Sequence, residues 1–286
     1  QARYADLLEW QLYNAASVGM GLDGTSYLYN NPLTCRGGVT RRAWYQVPCC
    51  PSNLSRTWAS LGKYLYSLDT EGFWVHQYVG SEVEVDLGLP MRVRLESGLP
   101  WQGSVALHLS PPSPIEFTLH LRIPSWAQEV QLRINGHRLH PVQPPQPPPP
   151  SGDASTAEPP ASGYSPHQAY YVPLSRTWMP GDVVEVEFPL AITIRRPHRR
   201  VRSVQGRVAL TRGPLVYCLE SVDNPGLDIF EAQINPSTLQ AEFSPDHLGG
   251  VWLLQGETIQ GEPFTAIPYF CWANRGESEM TVWVRA

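Results

Sequence analysis

Short segments of alternating apolar and polar residues recur along most of the chain after Asp69, and this period-two pattern constrains the fold most. Successive side chains of a β-strand point to opposite faces, so such alternation is typical of strands with one buried face. Gly and Pro separate the segments at intervals of about ten residues, which favours an antiparallel β-sandwich. Asn135-Gly136 predicts a tight hairpin turn. The clearest segments in the first half of the chain are Val83–Leu87, Val93–Leu95, Val105–Leu109, Phe117–Leu121 and Val130–Ile134.

A proline-rich stretch, residues 140–166, interrupts the strand pattern. Proline cannot donate a hydrogen bond to a sheet, so we expect an extended surface insertion, with a polyproline ligand for a partner domain as the alternative. The strand pattern resumes at Tyr170. Strands from Arg195 onward form either a second β domain or additional strands of the first. The clearest later segments are Val183–Phe188, Arg207–Leu210, Gly213–Leu219, Phe264–Tyr269 and Met280–Val284.

The first 70 residues follow a helical pattern instead. We expect one amphipathic helix over Tyr4–Ala16 and a second over Leu54–Ser67, with Ser52 or Asn53 as the N-cap of the second. The chain is therefore expected to be mainly β with an N-terminal helical part. The expected domains are residues 1–70, residues 71–194 with the insertion, and residues 195–286. The apolar face expected for the first helix consists of Tyr4, Leu7, Leu8, Leu12 and Ala15.

The net charge limits the classes of partner, and the cysteine content indicates the compartment. The net charge of −5 argues against nucleic acid or an anionic membrane as the main partner, and the basic run Arg195–Arg200 is expected to be solvated surface. No apolar run approaches the ~20 residues that span a bilayer.

Five cysteines without regular spacing do not resemble a secreted disulfide framework, which favours a reducing compartment such as the cytoplasm. The sequence begins without a targeting signal, inside a helical pattern, so we expect a part of a longer protein.

Cys49 and Cys50 are adjacent, directly before the second predicted helix. Adjacent cysteines rarely form a disulfide with each other, because the ring they close is strained. A thiolate near the positive end of a helix is stabilised, and its pKa falls. The pair is therefore a candidate nucleophile or metal site, although buried structural thiols fit the spacing equally well.

A zinc site at this pair needs further ligands. Zinc takes about four ligands from Cys, His, Asp or Glu. The sequence near the pair offers only Cys35 and Glu9, which are also explained as a loop thiol and a solvated helix carboxylate. No Gly-rich phosphate loop, Gly-x-Ser-x-Gly elbow or nucleotide fingerprint is present.

Several runs of residues together resemble one known family. The most specific is Cys49-Cys50-Pro51-Ser52-Asn53, and Gly206–Tyr217 is next. These runs resemble glycoside hydrolase family 127, the β-L-arabinofuranosidase-like proteins, and the resemblance covers nearly the whole chain outside the proline-rich stretch. The other runs that carry it are Arg3–Asn14, Asp23–Thr25, Tyr29–Leu33, Leu121–Ala127, Ala266–Tyr269 and Trp272–Gly276.

The resemblance implies a fold and a mechanism. Family members have an (α/α)6 barrel followed by β-sandwich domains, so the chain would hold the last helices of the barrel and the β domains. It also implies retaining hydrolysis of terminal β-L-arabinofuranosides in arabinose-containing glycans by a zinc-bound cysteine. By position, Cys49 matches the nucleophile, Cys50 matches a zinc ligand, and both would contact zinc.

The same resemblance leaves part of the site outside this chain. The family's other zinc ligands, a Glu and a Cys two residues apart, and its acid/base Glu match positions upstream of Gln1. We therefore expect the chain alone not to complete the catalytic cycle. Glu9, Tyr13 and Asn14 on the first helix are candidates for contact with the sugar.

Two other functions fit the residues without the resemblance. The chain could be a non-catalytic β-sandwich module that binds carbohydrate or serves as a scaffold. It could also be a thiol protein that uses the cysteine pair for zinc or redox chemistry. Reactive cysteine thiols would favour the thiol protein over the β-sandwich module. A Glu-x-Cys upstream of Gln1 would favour the hydrolase.

Overall fold

The computed structural model describes residues 1–139 and 168–286. The insertion expected at residues 140–166 lies outside the described residues. The described chain divides into two compact units. The first comprises residues 1–9, 59–139 and 168–190, and the second comprises residues 10–58 and 191–286.

Two α-helices lie in the N-terminal part, and short helical turns occur elsewhere. None of the helices in the described residues has both the length and the apolar character needed to cross a membrane. The helices are α1 Ala2–Trp10 and α2 Cys49–Ala59, a π-helix Gln11–Ala16, and 3-10 turns at Ser17–Gly19, Leu61–Tyr64, Arg202–Val204, Ser221–Asp223, Pro236–Thr238 and Tyr269–Cys271.

Strands make up most of the regular structure. In chain order they are β1 Thr34–Arg36, β2 Tyr66–Asp69, β3 Gly72–Val75, β4 Ser81–Asp86, β5 Pro90–Ser97, β6 Ser104–Ser110, β7 Ile115–Ile123, β8 Gln131–Ile134, β9 His137–Arg138, β10 Tyr170–Trp178, β11 Val183–Glu187, β12 Ile192–Arg195, β13 Arg207–Arg212, β14 Leu215–Glu220, β15 Gln240–Ser244, β16 Val251–Glu257, β17 Pro263–Pro268, β18 Glu279–Thr281 and β19 Trp283–Arg285.

The first unit is built on two sheets. One has the order β4-β5-β6-β11-β8-β9 and is antiparallel, and the other has the order β10-β7-β3-β2, in which β3 and β7 run parallel. Strand β5 buries Met91, Val93 and Leu95 and exposes the residues between them, as the alternation predicted. Asn135 and Gly136 have φ of 51° and 76°, the left-handed conformation of the predicted hairpin turn between β8 and β9.

The second unit contains one larger sheet. Its main path is β1-β18-β14-β17-β16-β15, and β13 pairs with β12, β14 and β19. The later segments are therefore strands, as predicted. Strand β12, Ile192–Arg195, pairs with β13 and belongs to this unit.

The prediction of a mainly β chain with antiparallel sheets is confirmed. By their contacts, residues 1–9 and 59–70 belong to the first unit and residues 10–58 to the second. The division into domains 1–70, 71–194 and 195–286 stays a prediction. That these helices are the end of an (α/α)6 barrel stays a prediction.

The predicted apolar face of the first helix is buried only at Leu12, which is 7% exposed, and half-buried at Leu8. Tyr4 and Leu7 are 61% and 45% exposed, whereas Asp6 and Glu9 are 2% and 1% exposed. The helix buries its carboxylate face because a buried arginine, Arg122, pairs with both side chains. Burial of a charge is tolerated where it is paired and hydrogen-bonded.

The second predicted helix was placed too far along the chain. Helix α2 begins at Cys49 and ends at Ala59, and Ser67 belongs to β2. Neither Ser52 nor Asn53 is the N-cap. Pro51 is accommodated in the first turn, because the amide hydrogen it lacks would have no intrahelical partner there.

Candidate functional site

The two adjacent thiols lie together at the exposed start of α2. Cys49 Sγ and Cys50 Sγ are 3.8 Å apart, and both residues are exposed free cysteines. The Tyr29 hydroxyl lies 3.0 Å from Cys49 Sγ. The arrangement is therefore a phenol and two thiols in one short hydrogen-bonded chain.

Helix α2 fixes the position of these thiols. The Pro48 carbonyl accepts from the Ser52 amide at 3.0 Å and from the Ser52 hydroxyl at 2.7 Å, which closes the first turn. Cys49 and Cys50 are the first two residues of the helix. The unpaired amides of a first turn form the positive end of the helix dipole, which favours a thiolate there.

Hydrogen bonding distinguishes the two thiols. The bond from Tyr29 lowers the pKa of Cys49. The bond with Cys49 raises the pKa of Cys50 and, in the same way, that of Tyr29 to about 12. Cys49 therefore ionises first, while Cys50 and Tyr29 keep their protons and donate to it. The lower thiol pKa expected from the sequence applies to Cys49 and not to Cys50.

Tyr29 is itself held by a second tyrosine. The Tyr45 hydroxyl accepts from the Tyr29 amide at 3.1 Å and donates to the Tyr27 carbonyl at 3.1 Å. The rings of Tyr29 and Tyr45 lie 5.2 Å apart at an interplanar angle of 50°. The Arg42 guanidinium lies 5.9 Å from the Tyr45 ring centre. These contacts fix the Tyr29 hydroxyl toward Cys49.

An open cavity of about 450 Å³ borders this tyrosine pair. Its lining combines aromatic faces with amide and guanidinium donors, the groups that suit a hydroxyl-rich ligand. The lining side chains that carry these groups are Tyr29, Asn30, Arg42, Tyr45 and Gln46.

The thiol pair matches half of a tetrahedral zinc site. Two thiolates at about 2.3 Å from a tetrahedral zinc ion lie about 3.8 Å apart, which is the separation of the two Sγ atoms. Within residues 1–139 and 168–286, no group of three or more His, Cys, Asp or Glu is arranged to hold a metal. Cys35 is not part of such a group. It is buried in β1, and its thiol bonds the Gly37 carbonyl at 3.5 Å.

Glu9 has a structural role in the first unit. Its carboxylate accepts from Arg122 Nη2 at 2.6 Å and from Trp126 Nε1 at 2.6 Å. Asp6 accepts from the Ser125 amide at 2.9 Å and hydroxyl at 2.6 Å. Both Glu9 oxygens accept hydrogen bonds, so a structural role explains Glu9 without zinc or sugar, and its candidate roles as zinc ligand and sugar contact stay predictions.

The side chain of Asn14 is hydrogen-bonded to backbone groups of its own unit. Its Nδ2 donates to the Pro214 carbonyl at 2.9 Å, and its Oδ1 accepts from the Val216 amide at 2.8 Å. A structural role therefore explains Asn14 without substrate. Tyr13 is half-buried, and its candidate contact with sugar stays a prediction.

Tyr29 is the site residue that the sequence did not single out. It lies 20 residues before Cys49, so helical or strand spacing gives no reason to associate the two. The available signal was its place in the run Tyr29–Leu33, which carried part of the family resemblance.

Three family models match the chain, and together they extend over most of it. They are the GH127 catalytic domain of β-L-arabinofuranosidase at residues 1–63, the GH127 middle domain of β-L-arabinofuranosidase at residues 72–147, and the glycoside hydrolase family 127 C-terminal domain at residues 192–285. The thiol pair lies in the part matched to the catalytic domain.

Individual relatives agree with these matches. The non-reducing end β-L-arabinofuranosidase of Bifidobacterium longum subsp. longum is 32% identical over 331 aligned positions, covering 100% of this chain and 46% of that protein. Ara127N-Se, a GH127 β-L-arabinofuranosidase from Geobacillus stearothermophilus T6, has a TM-score of 0.82 at 36% identity, covering 100% of this chain and 46% of that chain. The GH127 β-arabinofuranosidase BT3674 has a TM-score of 0.81 at 29% identity, with 100% and 46% covered.

The chain thus spans about half the length of the relatives that it matches. The matches nevertheless extend along the whole of this chain, in sequence and in structure. The chain belongs to glycoside hydrolase family 127.

Proposed function

We propose that the chain is part of a β-L-arabinofuranosidase in which Cys49 is the nucleophile of a retaining hydrolysis. The observation that carries the proposal is the exposed Cys49 thiol at the start of α2, hydrogen-bonded by Tyr29 and ionising before Cys50. The names of the matched relatives supply the substrate class, terminal β-L-arabinofuranosides.

The chemistry follows from a thiolate at this position. The Cys49 thiolate attacks the anomeric carbon, a C–S bond forms, and the bond from that carbon to the leaving oxygen breaks. The leaving oxygen takes a proton from a general acid. Water then attacks the same carbon, the C–S bond breaks, and the thiolate is released while the water proton passes to the conjugate base. Two displacements retain the anomeric configuration.

The residues that hold Cys49 serve the first step. Tyr29 donates to the thiolate sulfur and therefore stabilises it before attack. The same bond orients the sulfur relative to the cavity that Tyr29 borders. The general acid is proposed to come from residues that match positions upstream of Gln1, as the family resemblance implies.

We also propose that Cys49 and Cys50 hold zinc in the complete protein. Their 3.8 Å separation fits two thiolates on one tetrahedral ion, and two further ligands must come from outside the described residues. When bound, zinc would keep the coordinated thiol deprotonated.

The test compares Cys49→Ser and Cys50→Ser in a polypeptide that carries the complete catalytic domain. We expect Cys49→Ser to abolish hydrolysis of an aryl β-L-arabinofuranoside, because a serine hydroxyl is a far weaker nucleophile than a thiolate. Elemental analysis of the same samples is expected to show about one zinc per wild-type chain and loss of zinc in both variants.

A third variant, Cys218→Ser, controls for general effects of removing a thiol, because Cys218 is buried in β14. Folding is followed by circular dichroism for all variants. Undiminished hydrolysis by folded Cys49→Ser would remove Cys49 from the mechanism. Full zinc content in both cysteine variants would exclude the pair as ligands.

A further inference from the structure

An arginine-rich loop in the second unit is not explained by the proposed active site. Residues 196–206 connect β12 to β13, which pair as an antiparallel hairpin. Five of the 21 basic residues of the chain lie within residues 195–202, and no Asp or Glu occurs between Glu187 and Glu220. This concentration stands out in a chain of net charge −5.

Hydrogen bonds within the loop give it a defined shape. The Val201 amide donates to the His198 carbonyl at 2.8 Å. The Gln205 amide nitrogen Nε2 donates to the His198 carbonyl at 3.0 Å and to the Val201 carbonyl at 2.9 Å. Gly206 has φ of 75° and completes the return to β13. The arginine side chains therefore project from an organised backbone, which lowers the entropy cost of binding.

Three of these arginines are exposed and form no ion pair within the described residues. Arg196, Arg199 and Arg202 are exposed, and none of them forms an ion pair with residues 1–139 or 168–286. By contrast, Arg207 and Arg285 of the same unit both pair with Glu231. Arginines that served only to balance nearby carboxylates would be paired in this way.

We propose that this loop, defined by Arg196, Arg199 and Arg202, binds a carboxylate-bearing polysaccharide. A guanidinium forms paired hydrogen bonds with a carboxylate, and a polyuronide presents one carboxylate on each sugar. The net negative charge of the chain disfavours a more densely charged polymer such as DNA, because the rest of the surface repels it. The proposal is independent of hydrolysis, since a uronate polymer contains no arabinofuranoside.

The test measures binding of the purified chain to polygalacturonate by affinity electrophoresis, with neutral arabinan as the uncharged probe. We expect polygalacturonate to retard the chain strongly at about 0.01 M salt and only weakly at about 0.3 M salt, because salt screens the charges. Neutral arabinan should cause no retardation that depends on this loop. Replacing the three arginines with Gln (R196Q/R199Q/R202Q) should weaken binding at least about tenfold, the equivalent of losing one strong contact.

The matched control is R92Q/R94Q, which removes arginines on β5 that pair with Glu82, Glu84 and Glu96. Its binding should stay close to that of the wild type. The proposal is overturned if the wild type is not retarded, if the loop variant binds equally, or if the control loses as much affinity per charge. Tighter binding of a single-stranded oligonucleotide than of polygalacturonate would overturn the choice of partner.

Discussion

Tyr29 gives the two adjacent cysteine thiols different pKa values. Its hydroxyl lies 3.0 Å from Cys49 Sγ, and the bond lowers the pKa of Cys49, whereas the pKa of Cys50 is raised. Adjacency alone predicted a reactive pair from the sequence but could not say which member ionises. That choice depends on a residue brought in by the tertiary fold.

Removing the Tyr29 hydroxyl tests this role directly. In Tyr29→Phe the thiolate loses a donor, so the pKa of Cys49 should rise and its fraction ionised at pH 7 should fall. We expect alkylation of Cys49 by iodoacetamide to slow by up to about tenfold at pH 7 and to recover at higher pH, where the thiol is fully ionised. Peptide mapping of the metal-free chain by mass spectrometry gives the rate at each pH.

Tyr27→Phe is the control, because Tyr27 lies in the same segment with its ring edge-on to Trp44. Its pH profile should match that of the wild type. If Tyr29→Phe shows the wild-type profile as well, Tyr29 does not control which thiol ionises.

At the scale of secondary structure, two runs of the family resemblance are partners in space. Asp6 and Glu9 of α1 bond Arg122, Ser125 and Trp126, which lie in and directly after β7. The sequence placed Glu9 on a solvated face because Arg122 is 113 residues away. A buried ion cluster of this kind gives no periodic signal.

Glu9→Gln should therefore destabilise the first unit. Arg122 is fully buried, and it would keep only Asp6 at 3.3 Å as a charged partner. We expect the free energy of unfolding to fall by about 3 kcal/mol, the lower end for breaking a buried pair, because Asp6 remains. Urea denaturation measures this value.

The same chemical change at Glu84 is the comparison, because Glu84 is exposed and lies 3.8 Å from Arg92. Glu84→Gln should change stability by less than about 1 kcal/mol. If both substitutions lowered the free energy of unfolding equally, the buried cluster would contribute no more to stability than a surface ion pair.

The secondary structure could be predicted where one local signal dominated. Strands with one buried face, such as β5 and β6, follow from alternation alone. The start of α2 was missed because Pro51 resembles a helix stop, although a proline is tolerated in a first turn. Strand β15 was missed because only one of its residues, Phe243, is large and apolar, and Phe243 is exposed.

At the scale of the whole molecule, the described residues supply only part of the proposed catalytic site. They provide the proposed nucleophile, the two proposed thiol ligands and the tyrosine bonded to Cys49, whereas they contain no group of three His, Cys, Asp or Glu that could hold a metal. The chain spans about half the length of its relatives, so the general acid and the remaining ligands are proposed to lie in the rest of the catalytic domain.

The site of the covalent intermediate tests most directly whether Cys49 is the nucleophile. A polypeptide with the complete catalytic domain would be mixed with an aryl β-L-arabinofuranoside, quenched in acid and mapped by mass spectrometry. We predict one arabinosyl group on the peptide that contains Cys49, attached to its sulfur and absent in Cys49→Ser. An arabinosyl group on a carboxylate or on Cys50, with Cys49 unmodified, would contradict the account.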